Sequence, residues 1–397
     1  MRPFEDIDVL DLTQSIAGPV STQFLATLGA NVVKVEPPQG DAFRGLIDGS
    51  MFASVNLGGK QSICLDLKTD EGRQAAWELA ADADVVVQSF RPGVVEKFGL
   101  DYESVSAANE DVVYCSLTGF GPDGPYSNWP AYDPVIQAMT GLMSMIGYPD
   151  EPPVRIGASL IDWGTGTTAA FLLASALYDR DRNGGGEHIN VSLYEVATAW
   201  MGYWYAYYTS TGDVPTRSGQ GFSGLAPNEI FYAAGGEPLY LSAITDMFFE
   251  RTCAAIDRPD LVADERFSTN DRRWEHREAL RDILNDEFGA YDRDELCERL
   301  VAAGVPSGPL LSVDEVVDED PHVKEQEILT ETYNHWLDTP AKTVRPPFST
   351  TSGRPSFGDK PPEMGEHTRT VLAELGYDDE QIERMIEAGA AGPSQET

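Results

Sequence analysis

Positive charge is scarce in this chain. Its 397 residues carry 28 Lys and Arg against 65 Asp and Glu, a formal net charge of −37, and only seven of the cations are lysines. A surface this negative repels phosphate backbones and anionic headgroups, which excludes nucleic acid and membranes as partners. The acids are spread along the chain rather than gathered into a tail, as on a folded enzyme whose self-repulsion concentrated salt would screen. A cytoplasm at molar salt is the expected setting, with an ordinary acidic protein as the alternative. Cysteine is rare too: Cys64, Cys115, Cys253 and Cys297 lie far apart with no Cys-x-x-Cys pair. Met1 to Glu5 run directly into charged sequence, so a reducing, cytoplasmic location is expected. No run approaches the 18 or so uninterrupted apolar residues of a membrane span. The five histidines, His188, His276, His322, His335 and His367, show no paired ligand spacing, and no metal is expected. The loop at Gly18-Pro19 lacks G-x-G-x-x-G, and Gly141 to Met145 only approaches G-x-S-x-G, which disfavours a nicotinamide dinucleotide and a hydrolase triad.

What is present can fold. Apolar residues make up 42% and aromatics 10%, enough for a core, and the length suits one large domain with a smaller companion. Asp8–Leu12 reads as a strand, Val20–Leu28 as a helix and Asn31–Glu36 as a second strand, a βαβ unit. Ser62–Leu67, Asp84–Gln88 and Val112–Leu117 repeat the strand pattern, with a helix over Asp70–Ala80. The expected fold is α/β, with an open parallel sheet whose ligand crevice lies beyond the carboxyl ends of its strands. Helices are expected over Gln137–Met145, Gly164–Tyr178 and Tyr194–Tyr208, with a strand over His188–Leu193. Residues 1–214 form the first part of the large domain and 215–325 a smaller α+β domain with three helical stretches. Residues 326–397 are a returning linker and the end of the large domain, closing on two helices after His367 and a frayed Ala390–Thr397.

One acid is out of place for a solvated surface. Asp162 follows Leu160-Ile161 and precedes a helix crowded with Gly164, Gly166, Ala169 and Ala170. Two readings stand open: a helix N-cap, or a carboxylate nucleophile in a cleft, kept ionised by helix amides.

Short matches in one order run along nearly the whole chain. They include Leu10-Asp11-Leu12 through Ala17-Gly18-Pro19, Leu28-Gly29-Ala30-Asn31 through Glu36-Pro37, Gly40-Asp41 to Arg44, Lys60-Gln61-Ser62-Ile63, Arg91-Pro92-Gly93-Val94, Gly119-Phe120-Gly121, Tyr132-Asp133, Asp162 and Asp264-Glu265-Arg266-Phe267. By these the chain resembles the class III CoA-transferases, the family of formyl-CoA transferase and carnitine CoA-transferase. The resemblance implies an interlocked, ring-like homodimer. It also implies that Asp162 attacks an acyl-CoA thioester and carries CoA as an aspartyl thioester, with no permanent cofactor and the CoA thioester as substrate. It places CoA contacts on Gln14, Ser15, Ile16, Ala17, Pro37, Leu67, Lys68, Ser89, Phe90 and Arg91, with Lys34 and Arg44 as partners for the CoA phosphates, and sets Tyr132 near the acyl group. Ile16 stands where formyl-CoA transferase has a glutamine, Ser89 replaces an asparagine, and Gly219, Gly221 and Gly224 lie where that enzyme has a tetraglycine loop. These departures put formyl-CoA and oxalate in doubt. Members of the family that this chain resembles include enzymes that move CoA from succinyl-CoA to mesaconate or related C4–C5 acids, so in a salt-adapted setting succinyl-CoA is the expected donor and such a dicarboxylate the expected acceptor. The distal carboxylate of such an acid needs a cation, and Arg44, Arg155 and Arg217 are the candidates. An alpha-methylacyl-CoA racemase-like enzyme, which would need a histidine near the site, and a catalytically silent CoA-binding protein are the alternatives.

Overall fold

A computed structural model describes residues 1–358 and 360–392, in two compact units: 1–140, 157–202 and the described residues from 321 to 392 form the first, and 141–156 with 203–320 the second. The excursion of 141–156 into the second unit, and its limits at Tyr203 and Asp320, differ from the boundaries expected at 215 and 325.

In the first unit β1 (Asp8–Leu12), α1 (Ala17–Thr27), β2 (Asn31–Glu36), α2 (Ser50–Val55), β3 (Gln61–Cys64), α3 (Asp70–Asp82), β4 (Val85–Gln88), α4 (Tyr102–Ser106) and β5 (Val113–Thr118) alternate. They are followed by α5 (Asp133–Met139), α6 (Leu160–Asn183), β6 (Glu187–Ser192) and α7 (Leu193–Trp200). The six strands form one parallel sheet in the order β3-β2-β1-β4-β5-β6. Runs such as Val85-Val86-Val87 are apolar throughout because both faces of the sheet are covered. The strand order reverses between β1 and β4, and there the loops leaving the two strands part and open a crevice. α3 starts on Thr69, whose hydroxyl accepts from the Gly72 amide, with Asp70 and Glu71 at the positive end of the helix.

The second unit contains α8 (Gly202–Thr211, in this unit from Tyr203), β7 (Asn228–Tyr232), β8 (Pro238–Ser242), α9 (Asp246–Ala255), α10 (Asp260–Ala263), α11 (Asn270–Glu275), α12 (Arg277–Phe288), α13 (Arg293–Ala302), β9 (Ser307–Pro309) and α14 (Val313–Asp318). Five helices thus stand where three were expected. They pack Phe249, Leu280, Leu284, Phe288 and Leu296 against an antiparallel β7-β8-β9 sheet. Arg273 is fully buried there, its guanidinium donating to the Ala226 and Phe267 carbonyls and to Asp246.

The chain then returns to the first unit through α15 (Pro321–Glu325), an antiparallel hairpin of β10 (Leu329–Asn334) and β11 (Thr339–Val344), α16 (Thr368–Glu374) and α17 (Asp379–Glu387). Four further expectations are corrected. The helix expected over Gln137–Met145 is α5, which starts four residues earlier on Asp133, plus a single 3₁₀ turn. The helix expected over Tyr194–Tyr208 breaks between Trp200 and Gly202. The returning linker contains a hairpin. Ala390 and Ala391 are buried, and the Ala390 carbonyl accepts from Asp66 N, so the chain is tied down to Gly392; the rest of the expected frayed end lies outside the described residues. α6 is long and apolar enough on average to cross a membrane, but here it packs along α1 and against β5 and β6.

Candidate active site

Beyond the sheet's carboxyl edge, where β1 and β4 part, lies a cavity of about 500 Å³. It gathers Gln14, Ser15 and Ala17 from the loop after β1, Ser89, Phe90 and Arg91 from the loop after β4, Tyr132 from the loop before α5, and Asp162 from the first turn of α6. Gln14 N donates to Ser89 Oγ (3.1 Å), tying the two loops together, and Phe90 N donates to Gln88 Oε1 (2.7 Å), fixing the start of the β4 loop. Thr118, Ser127 and Trp129 complete the wall. Trp129 is held by ring contacts with Tyr126 (4.6 Å) and Phe120 (6.4 Å), partners that a breaker-rich loop sequence does not announce. Asp162 and Arg91 are the charged side chains among the described residues lining the cavity, and no histidine is among them.

Asp162 reaches this place because α6 lies very close to α1. A Cβ at Gly166 would sit 2.4 Å from the Ala17 carbonyl oxygen and 2.7 Å from Val20 Cβ, so only glycine allows the contact. One turn earlier, Asp162 is set beside the amino end of α1.

The N-cap reading of Asp162 fails. The N-cap position belongs to Ser159, whose side chain caps nothing. The amides at the start of α6 are taken by a residue the sequence reading did not assign a role: Asp133, 2% exposed, whose Oδ2 accepts from Ile161 N (2.7 Å) and Asp162 N (3.2 Å). Its other oxygen accepts from Gln137 Nε2. The expectation that helix amides keep Asp162 ionised is therefore corrected. Burial and the Asp133 charge instead push its carboxyl up to about 7.

Lys34 and Arg44 are corrected as well, for they lie in a buried network of six charges under the β1 loop. Lys34 is fully buried; its ammonium pairs with Asp41 (3.3 Å) and donates to the Thr13 carbonyl (2.6 Å). Lys60 pairs with Asp11 (3.2 Å) and donates to the Pro19 carbonyl (2.8 Å). Arg44 holds Glu36 through two bonds of 2.6 Å and donates to the Pro362 carbonyl. Burial works against both Asp11 and Lys34 as ions, but the mutual attraction prevails, drawing the Asp11 carboxyl down to about 2 and raising the Lys34 ammonium. Burial dominates at Lys60 and lowers it to about 8. This network grips the loop backbone: Ser15 N donates to the Asp41 carboxylate (3.3 and 3.5 Å), at a residue held at φ +70° although it is not glycine.

Ile16 is 5% exposed and packs with Val20, Phe43 and Val55, so its side chain is turned into the core. Pro37, Leu67 and Lys68 do not line the cavity. In the second unit Arg217 donates to the Ser144, Tyr148 and Pro149 carbonyls, which secures the 141–156 excursion. Arg155 is exposed and donates to the Ile156 carbonyl.

The model of CoA-transferase family III matches residues 4–368. A succinyl-CoA:mesaconate CoA-transferase of Haloarcula hispanica is 35% identical over 390 residues, covering 95% of this chain and 97% of that protein. An acetyl-CoA:oxalate CoA-transferase of Acetobacter aceti is 37% identical over 322 residues, 80% of this chain and 82% of that protein. Among solved structures, a CAIB/BAIF family protein from Brucella suis superposes with a TM-score of 0.82 at 34% identity, covering 94% of this chain and 99% of that one. The chain belongs to CoA-transferase family III, the acyl-CoA:carboxylate CoA-transferases.

Proposed function

We propose that the enzyme moves CoA from succinyl-CoA to a short dicarboxylic acid such as mesaconate, with Asp162 as the nucleophile. The single observation that carries this reading is the Asp162 carboxyl inside the switch-point cavity, the one carboxyl among its described lining residues. An ionised Asp162 oxygen attacks the thioester carbon of the donor, the C–S bond breaks, and CoA thiolate leaves a mixed anhydride. Thiolate then attacks the Asp162 carbonyl carbon, releasing the donor acid and forming an aspartyl-CoA thioester. The acceptor carboxylate repeats both steps in reverse, regenerating Asp162 and conserving the thioester. Arg91, exposed at the cavity wall, is the cation this reading assigns to CoA phosphate. A cavity lined by no histidine among the described residues speaks against the racemase alternative.

The same reading takes the working enzyme to be a cytoplasmic homodimer in concentrated salt. α8, with the sequence GYWYAYYTST, buries none of its residues, and Phe171 and Tyr178 of α6 stand 68% and 63% exposed. Such aromatic faces call for a second copy. The family-level match to an oxalate-using enzyme gives the second substrate reading. A competition assay separates the two: succinyl-CoA or acetyl-CoA is offered with an equimolar panel of mono- and dicarboxylates, and product thioesters are read by mass. Mesaconyl-CoA or a related C4–C5 thioester should dominate; oxalyl-CoA or a monocarboxyl thioester as the main product overturns the substrate assignment.

A further inference from the structure

Two carboxyl groups meet at the start of α6, and there is one set of free amides between them. The first four N–H groups of a helix have no partner within it and carry the positive end of its dipole. In a 24-residue helix whose N-cap serine makes no cap, those amides would normally fall to the acid in the first turn, Asp162. Asp133 reaches across from α5 and takes two of them with one oxygen, while Gln137 holds the other oxygen. We propose that Asp133 is the positioning residue of this site: it fixes the Asp162 backbone against the cavity and withholds the helix amides from the Asp162 carboxyl. The proposal rests on the assignment of Asp162 as nucleophile.

The physical logic is a division of environment between a pair. Asp162, buried, deprived of the amides and facing the like charge of Asp133, is left a weaker acid than an ordinary carboxyl. A weaker acid is a better attacking base once ionised. Other charges do not supply this. α1 contains no titratable side chain, and α7 brings Tyr194 and Glu195, the latter bonded to Ser192 Oγ. β5 and β6 carry Tyr114, Cys115, Glu187 and His188, while Arg91 and Tyr132 face the cavity from loops. Burial raises Asp162 most, and the field of Asp133 adds to it.

The test is a ¹³C NMR titration of the Asp162 carboxyl, its resonance assigned by loss in Asp162→Asn, in the full-length protein and in Asp133→Asn. Asparagine keeps the size and one acceptor oxygen but removes the charge. Asp162 should titrate well above the ordinary carboxylate range in the parent protein and about one pH unit or more lower in Asp133→Asn. The acid limb of kcat/KM should move with it, while KM for acyl-CoA stays within about twofold; that limit follows because Asp133 does not touch the cavity. Asp133→Ala, which also releases the backbone, should lower kcat about a hundredfold. A parent Asp162 that titrates as an ordinary carboxyl overturns the proposal without any variant. So does an unmoved acid limb in a folded Asp133→Asn that still forms a hydroxylamine-trapped Asp162 adduct. Failure to trap Asp162 in the parent protein instead overturns the nucleophile assignment itself.

Discussion

Replacing Lys34 by methionine keeps most of the length of the side chain and removes its charge from beneath the active-site loop. The ammonium it deletes pairs with Asp41 and donates to the Thr13 carbonyl, and all of these groups are buried. Breaking one partner out of a buried pair costs about 3–5 kcal/mol, because the remaining carboxylate stays desolvated without its counter-charge. For a unit of this size that amounts to a fall in Tm of about 10 °C. The fall should persist at every KCl concentration, since mobile ions do not reach a buried pair as they reach surface charges. Differential scanning calorimetry of the ligand-free protein and the K34M variant measures it directly. A second signature is local: with Asp41 released, the strained Ser15 should relax and KM for acyl-CoA should rise. The opposite result is equally clear. If ligand-free K34M melts with the parent protein and loses only CoA affinity, Lys34 is a phosphate ligand and the buried-network account is wrong.

Four further outcomes are expected. Gly166→Ala places a methyl group 2.4 Å from the Ala17 carbonyl and should cost about 1–3 kcal/mol while lowering kcat; Gly157→Ala, with open space around its position, should be silent in melts and assays. Activity needs ionised Asp162, so kcat/KM should rise with pH through about 7 and fall roughly tenfold per unit below it. The same raised carboxyl carries a stability cost that builds as pH rises from about 4 to about 7 and is fully present above 7, so Asp162→Asn should melt higher than the parent at pH 8, with the gain gone below about pH 4. Finally, the net charge of −37 predicts a Tm that rises with KCl, and a Tm indifferent to salt would return the acidity to ordinary surface variation.

The parallel sheet was legible because its strands are buried on both faces and read as apolar runs, as at Asn31–Glu36 and Val85–Gln88. Asp162 was legible as an acid in an apolar, small-residue setting, and the loops after β1 and β4 followed from the strand order. The hairpin of β10 and β11 was not, because LTETYN and TPAKTV are polar on both faces and leave no alternation to read. Lys34 and Arg44 misled because a cation within β2, or in the 3₁₀ turn that follows it, looks the same in sequence whether it faces a phosphate or a buried Asp41 or Glu36; only the fold decides. Asp133 had a visible neighbour, Tyr132, but its grip on Ile161 spans 28 residues of chain, and no local pattern reports a cap delivered from another helix.

The central claim is that CoA passes through a covalent bond to Asp162. Incubating the enzyme with succinyl-CoA, quenching with hydroxylamine and mapping peptides by mass spectrometry tests it most directly. The account predicts a hydroxamate on Asp162 alone, formed without the acceptor acid and absent from Asp162→Asn. An active enzyme whose Asp162 peptide remains unmodified, or whose label sits on another carboxyl, contradicts it.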